Sequence, residues 1–151
     1  MTSKYLSLAV FAAFVAIAAQ VGATFEPGGW YAALAKPAWA PPGSVFPIAW
    51  TILYVMIALA GWFAWRAAGT GLAVSVWLVQ LVLNALWSYL MFGRHDITAA
   101  LIDIGLLWLA ILAFIVVVRR ASTVAAWLFV PYLAWVTFAA ALNFEVWRLN
   151  P

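Results

Sequence analysis

The sequence predicts an all-α integral membrane protein, a bundle of five transmembrane helices forming one domain over residues 1–151. Composition is the first reason. Hydrophobic residues make up 70% of the chain and charged residues 7%, whereas a soluble domain carries roughly 25% charged residues. Seven Lys or Arg and four Asp or Glu cannot clothe a body of this size for water, so hydrocarbon must solvate most of it. Charge spacing is the second reason, because the gaps between charges are close to the ~20 apolar residues that a spanning helix needs. The third is an abundance of amphipathic rings, eleven Trp and five Tyr, which collect where a membrane meets water.

The charges place the spans. Lys4 precedes the first, near Tyr5–Thr24. That run also fits loosely the pattern of a signal peptide, with small residues at Val21, Gly22 and Ala23. It is long for such a segment, and Gln20 and Thr24 suit a helix that faces a bundle. The second span is expected near Ser44–Trp65, the third near Gly71–Phe92, the fourth near Ile97–Val118 and the fifth near Val124–Phe144. Short connections make the last four antiparallel to their sequence neighbours. The connection from Phe25 to Gly43 is long and rich in Gly and Pro, and is expected to cap one end of the bundle. Lys4, Arg66, Arg119 and Arg120 fall on one side, and Lys36, Arg94 and Arg148 on the other, with Glu26, Asp96 and Glu145. The excess of basic residues on the first side, with the terminal amine, points to a cytoplasmic N-terminus.

Several function classes lack their parts. There is no cysteine, hence no disulfide and no thiolate chemistry. No basic stretch exceeds Arg119-Arg120, so nucleic acid is not an expected partner. His95 is the single histidine and sits in a short polar turn with Arg94 and Asp96, so no metal site is expected. No Ser-His-Asp set, in-helix carboxylate pair or phosphate loop is present. Any chemistry would rest on indoles, a bound chromophore or an external oxidant.

Side chains, not backbone, carry information inside the spans, because helix backbones satisfy themselves there. Gln80, Asn84 and Ser88 repeat every four residues and share one face of the third helix, with Trp87 at its border. Phe46, Trp50 and Tyr54 do so on the second, and Pro131, Trp135, Ala139 and Asn143 on the fifth. These stripes either meet around an aromatic cavity or pack as interhelical glue, each amide then contributing about 0.6–2 kcal/mol. Asp103, two turns into the fourth helix, has no basic residue in its own span. It must be neutral, paired or near the interface, and it suits a hydrogen bond to a neighbouring helix or a subunit contact. Small residues four apart, such as Gly71 and Ser75 or Ala99 and Asp103, permit close helix approach.

Three stretches are distinctive together. The first runs from Trp30-Tyr31 through Lys36-Pro37, Trp39 and Pro41-Pro42-Gly43 to Phe46-Pro47, Trp50 and Tyr54. The second is Gln80, Asn84 and Trp87-Ser88, then Phe92-Gly93. The third is Pro131-Tyr132, Trp135, Ala139 and Leu142-Asn143, ending in Trp147-Arg148 and Asn150. In this order, and over nearly the whole chain, they resemble the TspO/MBR family, the tryptophan-rich sensory proteins related to the mitochondrial translocator protein (the peripheral benzodiazepine receptor). The resemblance implies five helices, a homodimer, no resident cofactor, and a pocket that opens toward the first loop. It implies binding of porphyrins such as protoporphyrin IX, and of sterols and isoquinoline or benzodiazepine compounds. By motif position, the ligand-binding roles fall on Tyr31, Trp39, Pro42, Phe46, Trp50, Tyr54, Asn84, Trp87, Trp135, Ala139 and Leu142. Trp50 and Trp135 match the tryptophans tied to light-dependent porphyrin breakdown in some bacterial members. The family's sterol motif falls on Leu142, Phe144 and Arg148, with Phe144 where that motif places a Tyr. The general look of the chain suggests a bacterial source, and so a multi-pass protein of a bacterial cell envelope.

Overall fold

The computed structural model describes residues 2–151, with side chains from residue 5 onward. The Lys4 side chain and the N-terminal amine, both counted above as topology signals, lie outside the described residues. Five helices are long and apolar enough to cross a membrane. They are α1 (Thr2–Thr24), α3 (Val45–Ala68), α4 (Leu72–Ser88), α5 (Ile97–Val118) and α6 (Thr123–Leu149), and a short helix α2 (Gly29–Ala33) lies in the long connection. The fold is therefore an all-α, five-span membrane bundle.

Local chemistry sets the ends. Gly69 closes α3 at φ 67°, where its N–H reaches the Trp65 carbonyl at 2.7 Å; a left-handed residue after a helix is the usual place for glycine. Asp96 caps α5 by accepting from the Ala99 N–H at 2.8 Å, and Ser122 caps α6 from Ala125 at 3.2 Å. α4 does not stop at Ser88 but continues as a wider π-helical turn, Tyr89–Gly93. The Arg94 N–H bonds back to the Tyr89 carbonyl at 2.8 Å. The fifth span also runs past its expected end at Phe144, to Leu149, because no breaker interrupts it before Asn150. Pro131, inside α6, is exposed.

The helices close a ring in the order α1, α3, α6, α5, α4 and back to α1. α1 packs against α3 and α4 through Phe11, Val15 and Ala18. Gln20 and Thr24, expected to face the bundle, point outward instead, and the Thr24 hydroxyl bonds the Gln20 carbonyl at 2.8 Å. A hydroxyl that satisfies itself on its own helix needs no partner across the bundle.

The half of the bundle away from the long loop is tightly filled. Trp77 is fully buried and its indole N–H reaches the Ile57 carbonyl at 2.8 Å. It lies against Gly61, where a Cβ would come within 2.5 Å of the Trp77 ring. Phe114 and Phe129, in the same core, meet with ring centres 4.1 Å apart and planes tilted by 39°, both fully buried. The loop-side half is different, and there the core gives way to a cavity.

Candidate functional site

The cavity has a volume of about 810 Å³, within the ~300–1,000 Å³ of small-molecule sites. Every spanning helix contributes. The π-turn of α4 brings Met91 and Phe92 to the cavity, and α1 approaches closely at Gly22, where a Cβ would lie 3.7 Å from the Tyr54 hydroxyl. From the loop come Phe25, Glu26, Tyr31, Lys36 and Pro41.

The aromatic walls are mutually braced. Trp50 and Trp135 meet edge to face at 6.4 Å and 86°. Phe46 meets Trp135 in the same manner at 5.8 Å, and Tyr54 stacks on Trp50 at 5.4 Å. Across the cavity, Phe92 holds Trp87 and Tyr31, each at 5.4 Å and nearly perpendicular. Such pairs contribute about 0.5–1.5 kcal/mol each beyond burial and fix ring orientation.

Beneath these rings runs a chain of polar groups. The Tyr54 hydroxyl donates to Asn84 Oδ1 at 3.1 Å, and Asn84 Nδ2 donates to the Tyr132 hydroxyl at 2.9 Å. Tyr132 in turn donates to Gln80 Oε1 at 3.0 Å. The Trp87 indole donates to Asn143 Oδ1 at 2.9 Å, and Asn143 Nδ2 reaches the Ile97 carbonyl at 3.4 Å. The period-four stripes therefore do meet, and their amides serve both earlier readings: Gln80 and Asn143 tie helices together, while Asn84 and Asn143 also line the cavity. The Trp135 indole N–H is buried without a partner among the described residues. An unpaired donor on an aromatic wall is what a ligand acceptor would satisfy.

At the mouth the Lys36 ammonium donates to the carbonyls of Ala32 at 3.2 Å and Leu34 at 3.1 Å, and it sits 4.7 Å from the Tyr31 ring centre. Burial raises the Tyr31 phenol above its ordinary range, so that ring stays neutral beneath the cation. Arg94 is exposed and does not line the cavity.

Of the residues singled out by sequence, Tyr31, Phe46, Trp50, Tyr54, Asn84, Trp87, Trp135, Ala139 and Leu142 are brought together here. Trp39 and Pro42 are not. Trp39 is half exposed and packs on Phe138 at 5.8 Å, outside the cavity, while Pro41 and Gly43 line it on either side of Pro42. Leu142 is buried toward the cavity, away from the other two: Phe144 faces outward beside Trp147, and Arg148, exposed one turn further on, pairs with Glu145 at 2.7 Å. Pro131 faces away from its stripe, and Tyr132, one residue on, takes the inward place.

Asp103 is buried inside the bundle, not on an outer face, and its Oδ2 has no partner among the described residues. His95 lies outside the cavity, its ring stacked on Trp30 at 4.2 Å. No cluster of metal-binding side chains occurs among the described residues.

Known proteins are similar to this chain over most of its length. The model of the TspO/MBR family matches residues 7–148. The protein CrtK of Rhodobacter capsulatus is 40% identical over 97% of this chain and 96% of its own length. A tryptophan-rich sensory protein of Cereibacter sphaeroides is 41% identical, covering 94% of this chain and 92% of that protein. The human translocator protein is 38% identical over 86% of this chain and 82% of its own. A family match of this extent, on a five-span bundle whose aromatic stripes converge, establishes that the chain belongs to the TspO/MBR family.

Proposed function

We propose that this protein binds porphyrins of the protoporphyrin IX type in the aromatic cavity and acts in tetrapyrrole sensing or transport in a bacterial cell envelope. Relatives named as sensory and translocator proteins support the broader role of membrane sensing or transport. The observation that carries the finer reading is the cavity wall itself: Trp50, Trp87 and Trp135 with Phe46 and Tyr54 around about 810 Å³. A flat conjugated ring gains by stacking on such walls. Its carboxylates would meet Lys36, whose ammonium has three donors and spends two on loop carbonyls. Sterols and isoquinoline or benzodiazepine compounds share the flat apolar shape and are secondary candidates. A homodimer belongs to the same proposal, tested by the mass of the protein in detergent from light scattering.

Titration of the detergent-purified protein with protoporphyrin IX in the dark tests the reading, following tryptophan quenching and the Soret band. Saturable quenching that is lost in Trp50→Ala and Trp135→Ala is expected. Quenching that never saturates, or that ignores these substitutions, would overturn it and return the stripes to ordinary packing.

A second reading, light-dependent porphyrin breakdown, draws on the contact of Trp50 with Trp135 at 6.4 Å inside the cavity. Indoles are readily oxidised side chains. It expects bleaching of bound porphyrin under illumination in air, with Trp50→Phe combined with Trp135→Phe keeping binding and losing bleaching. Bleaching that persists in the double variant rules out the route through Trp50 and Trp135.

A further inference from the structure

The connection over the cavity mouth, residues 28–40, contributes Gly28, Tyr31, Ala32, Lys36 and Ala40 to the lining, yet it is fastened at points outside the cavity. At one point the Trp30 indole lies flat on the His95 imidazole, 4.2 Å away and tilted by 13°. His95 holds this position in a left-handed conformation, φ 56°, which histidine tolerates better than most residues. At the other point a side chain from beyond α6 grips the loop backbone. The Ala35 N–H donates to Asn150 Oδ1 at 3.0 Å, and Asn150 Nδ2 donates to the Ala35 carbonyl at 3.0 Å. One amide thereby reproduces the two-point pairing that strand residues exchange. The same Nδ2 donates to the Val146 carbonyl at 2.7 Å, which ties the grip to the last turn of α6.

Asn150 does not line the cavity, but the residue it holds is next to Lys36. Lys36 in turn is bound to the carbonyls of Ala32 and Leu34 and covers Tyr31. Movement of Ala35 therefore carries cavity-lining groups with it.

We infer that Asn150 is a positioning residue that sets how fast a ligand passes the mouth, because its amide clasps Ala35 and so holds Tyr31 and Lys36 over the cavity. The cargo follows from the porphyrin reading above; the clasp does not. The clasp is solvent-accessible, so opening exchanges its hydrogen bonds for water, and removing both favours the open mouth by roughly tenfold. A gate of this kind alters association and dissociation together and leaves affinity nearly unchanged, whereas a residue that touches the ligand changes mainly dissociation. A residue that only caps α6 changes stability and neither rate.

The experiment compares the whole chain with Asn150→Ala and Asn150→Asp in detergent micelles. Hydrogen exchange at the Ala35 amide is measured without ligand, and stopped-flow quenching by protoporphyrin IX in the dark gives both rate constants. Asn150→Ala is expected to speed Ala35 exchange and both rate constants by roughly tenfold, with affinity within about twofold. Asn150→Asp keeps the acceptor for the Ala35 N–H, loses the donor, and is expected to fall between. If Asn150→Ala does not fold, Asn150→Asp carries the test. Faster exchange with unchanged rate constants would overturn the gating role, and unchanged exchange would overturn the clasp. Wild-type quenching that does not saturate would remove the porphyrin reading, and accelerated Ala35 exchange would still uphold the clasp.

Discussion

The Tyr132 hydroxyl accepts from Asn84 and donates to Gln80, so it holds α4 to α6 directly beneath the cavity. Tyr132→Phe keeps the ring and removes that oxygen, leaving a buried amide donor and a buried carbonyl unpaired. A loss of about 1–2 kcal/mol is expected, read as a lower midpoint of SDS-driven unfolding in mixed micelles. A midpoint equal to wild type would mean that water replaces the hydroxyl. Sequence alone did not single out Tyr132, although Gln80 and Asn84 stood out by their period of four. It is one place removed from the stripe of Trp135, Ala139 and Asn143, and a period cannot say on which residue a stripe starts. Trp39 and Pro42 lie outside the cavity lining; they are in a loop, where no helical period relates position to direction. The unpaired Trp135 N–H was invisible too, because satisfaction of a donor depends on neighbours from other helices.

Among the elements, the spans were legible because each charge inside hydrocarbon is costly, and so the charges mark where helices must emerge. The five-residue helix α2 was not, being too short for an apolar face to repeat. Nor was the π-turn at Tyr89–Gly93, since one extra residue in a helical turn leaves no compositional trace. Yet that turn aims Met91 and Phe92 into the cavity, in keeping with the placement of such turns at functional sites. It also needs Gly93, where a Cβ would come within 2.8 Å of the Phe25 ring and 3.1 Å of Tyr89. Phe25 is half-buried and able to swing, so Gly93→Ala is expected to cost less than the ~1–3 kcal/mol of an overpacked core. Its larger effect falls on the cavity, which Phe25 lines. Protoporphyrin affinity is expected to fall by roughly tenfold, equivalent to about 1.4 kcal/mol, with little change in melting temperature; unchanged affinity would mean that the ring gives way without disturbing the site.

For the whole molecule, the up-and-down course of the helices puts the α3–α4 and α5–α6 turns at one end of the bundle and the long loop at the other. Arg66, Arg119 and Arg120 mark the first end, and the expectation of a cytoplasmic N-terminus, which counts Lys4 and the terminal amine with them, puts that end in the cytoplasm. The chain lacks cysteine, so single introduced thiols report topology without background. Thr70→Cys and Ala121→Cys are expected to react with an impermeant maleimide only from the cytoplasmic side, and Ala38→Cys only from the opposite side. The reverse pattern would invert the orientation and leave the fold intact.

The cavity draws its lining from the loop-side half of every spanning helix, while Trp77, Phe114 and Phe129 occlude the other half. In this conformation it is a blind vestibule. Its occupancy equilibrates with the chemical potential of the ligand at the face it opens to, and the concentration beyond the opposite face does not enter that balance. On the proposed binding role, such a recess would read one compartment as a gauge does. Net passage across the bilayer would require the packed half to come apart, a change that the clasp at the mouth does not provide.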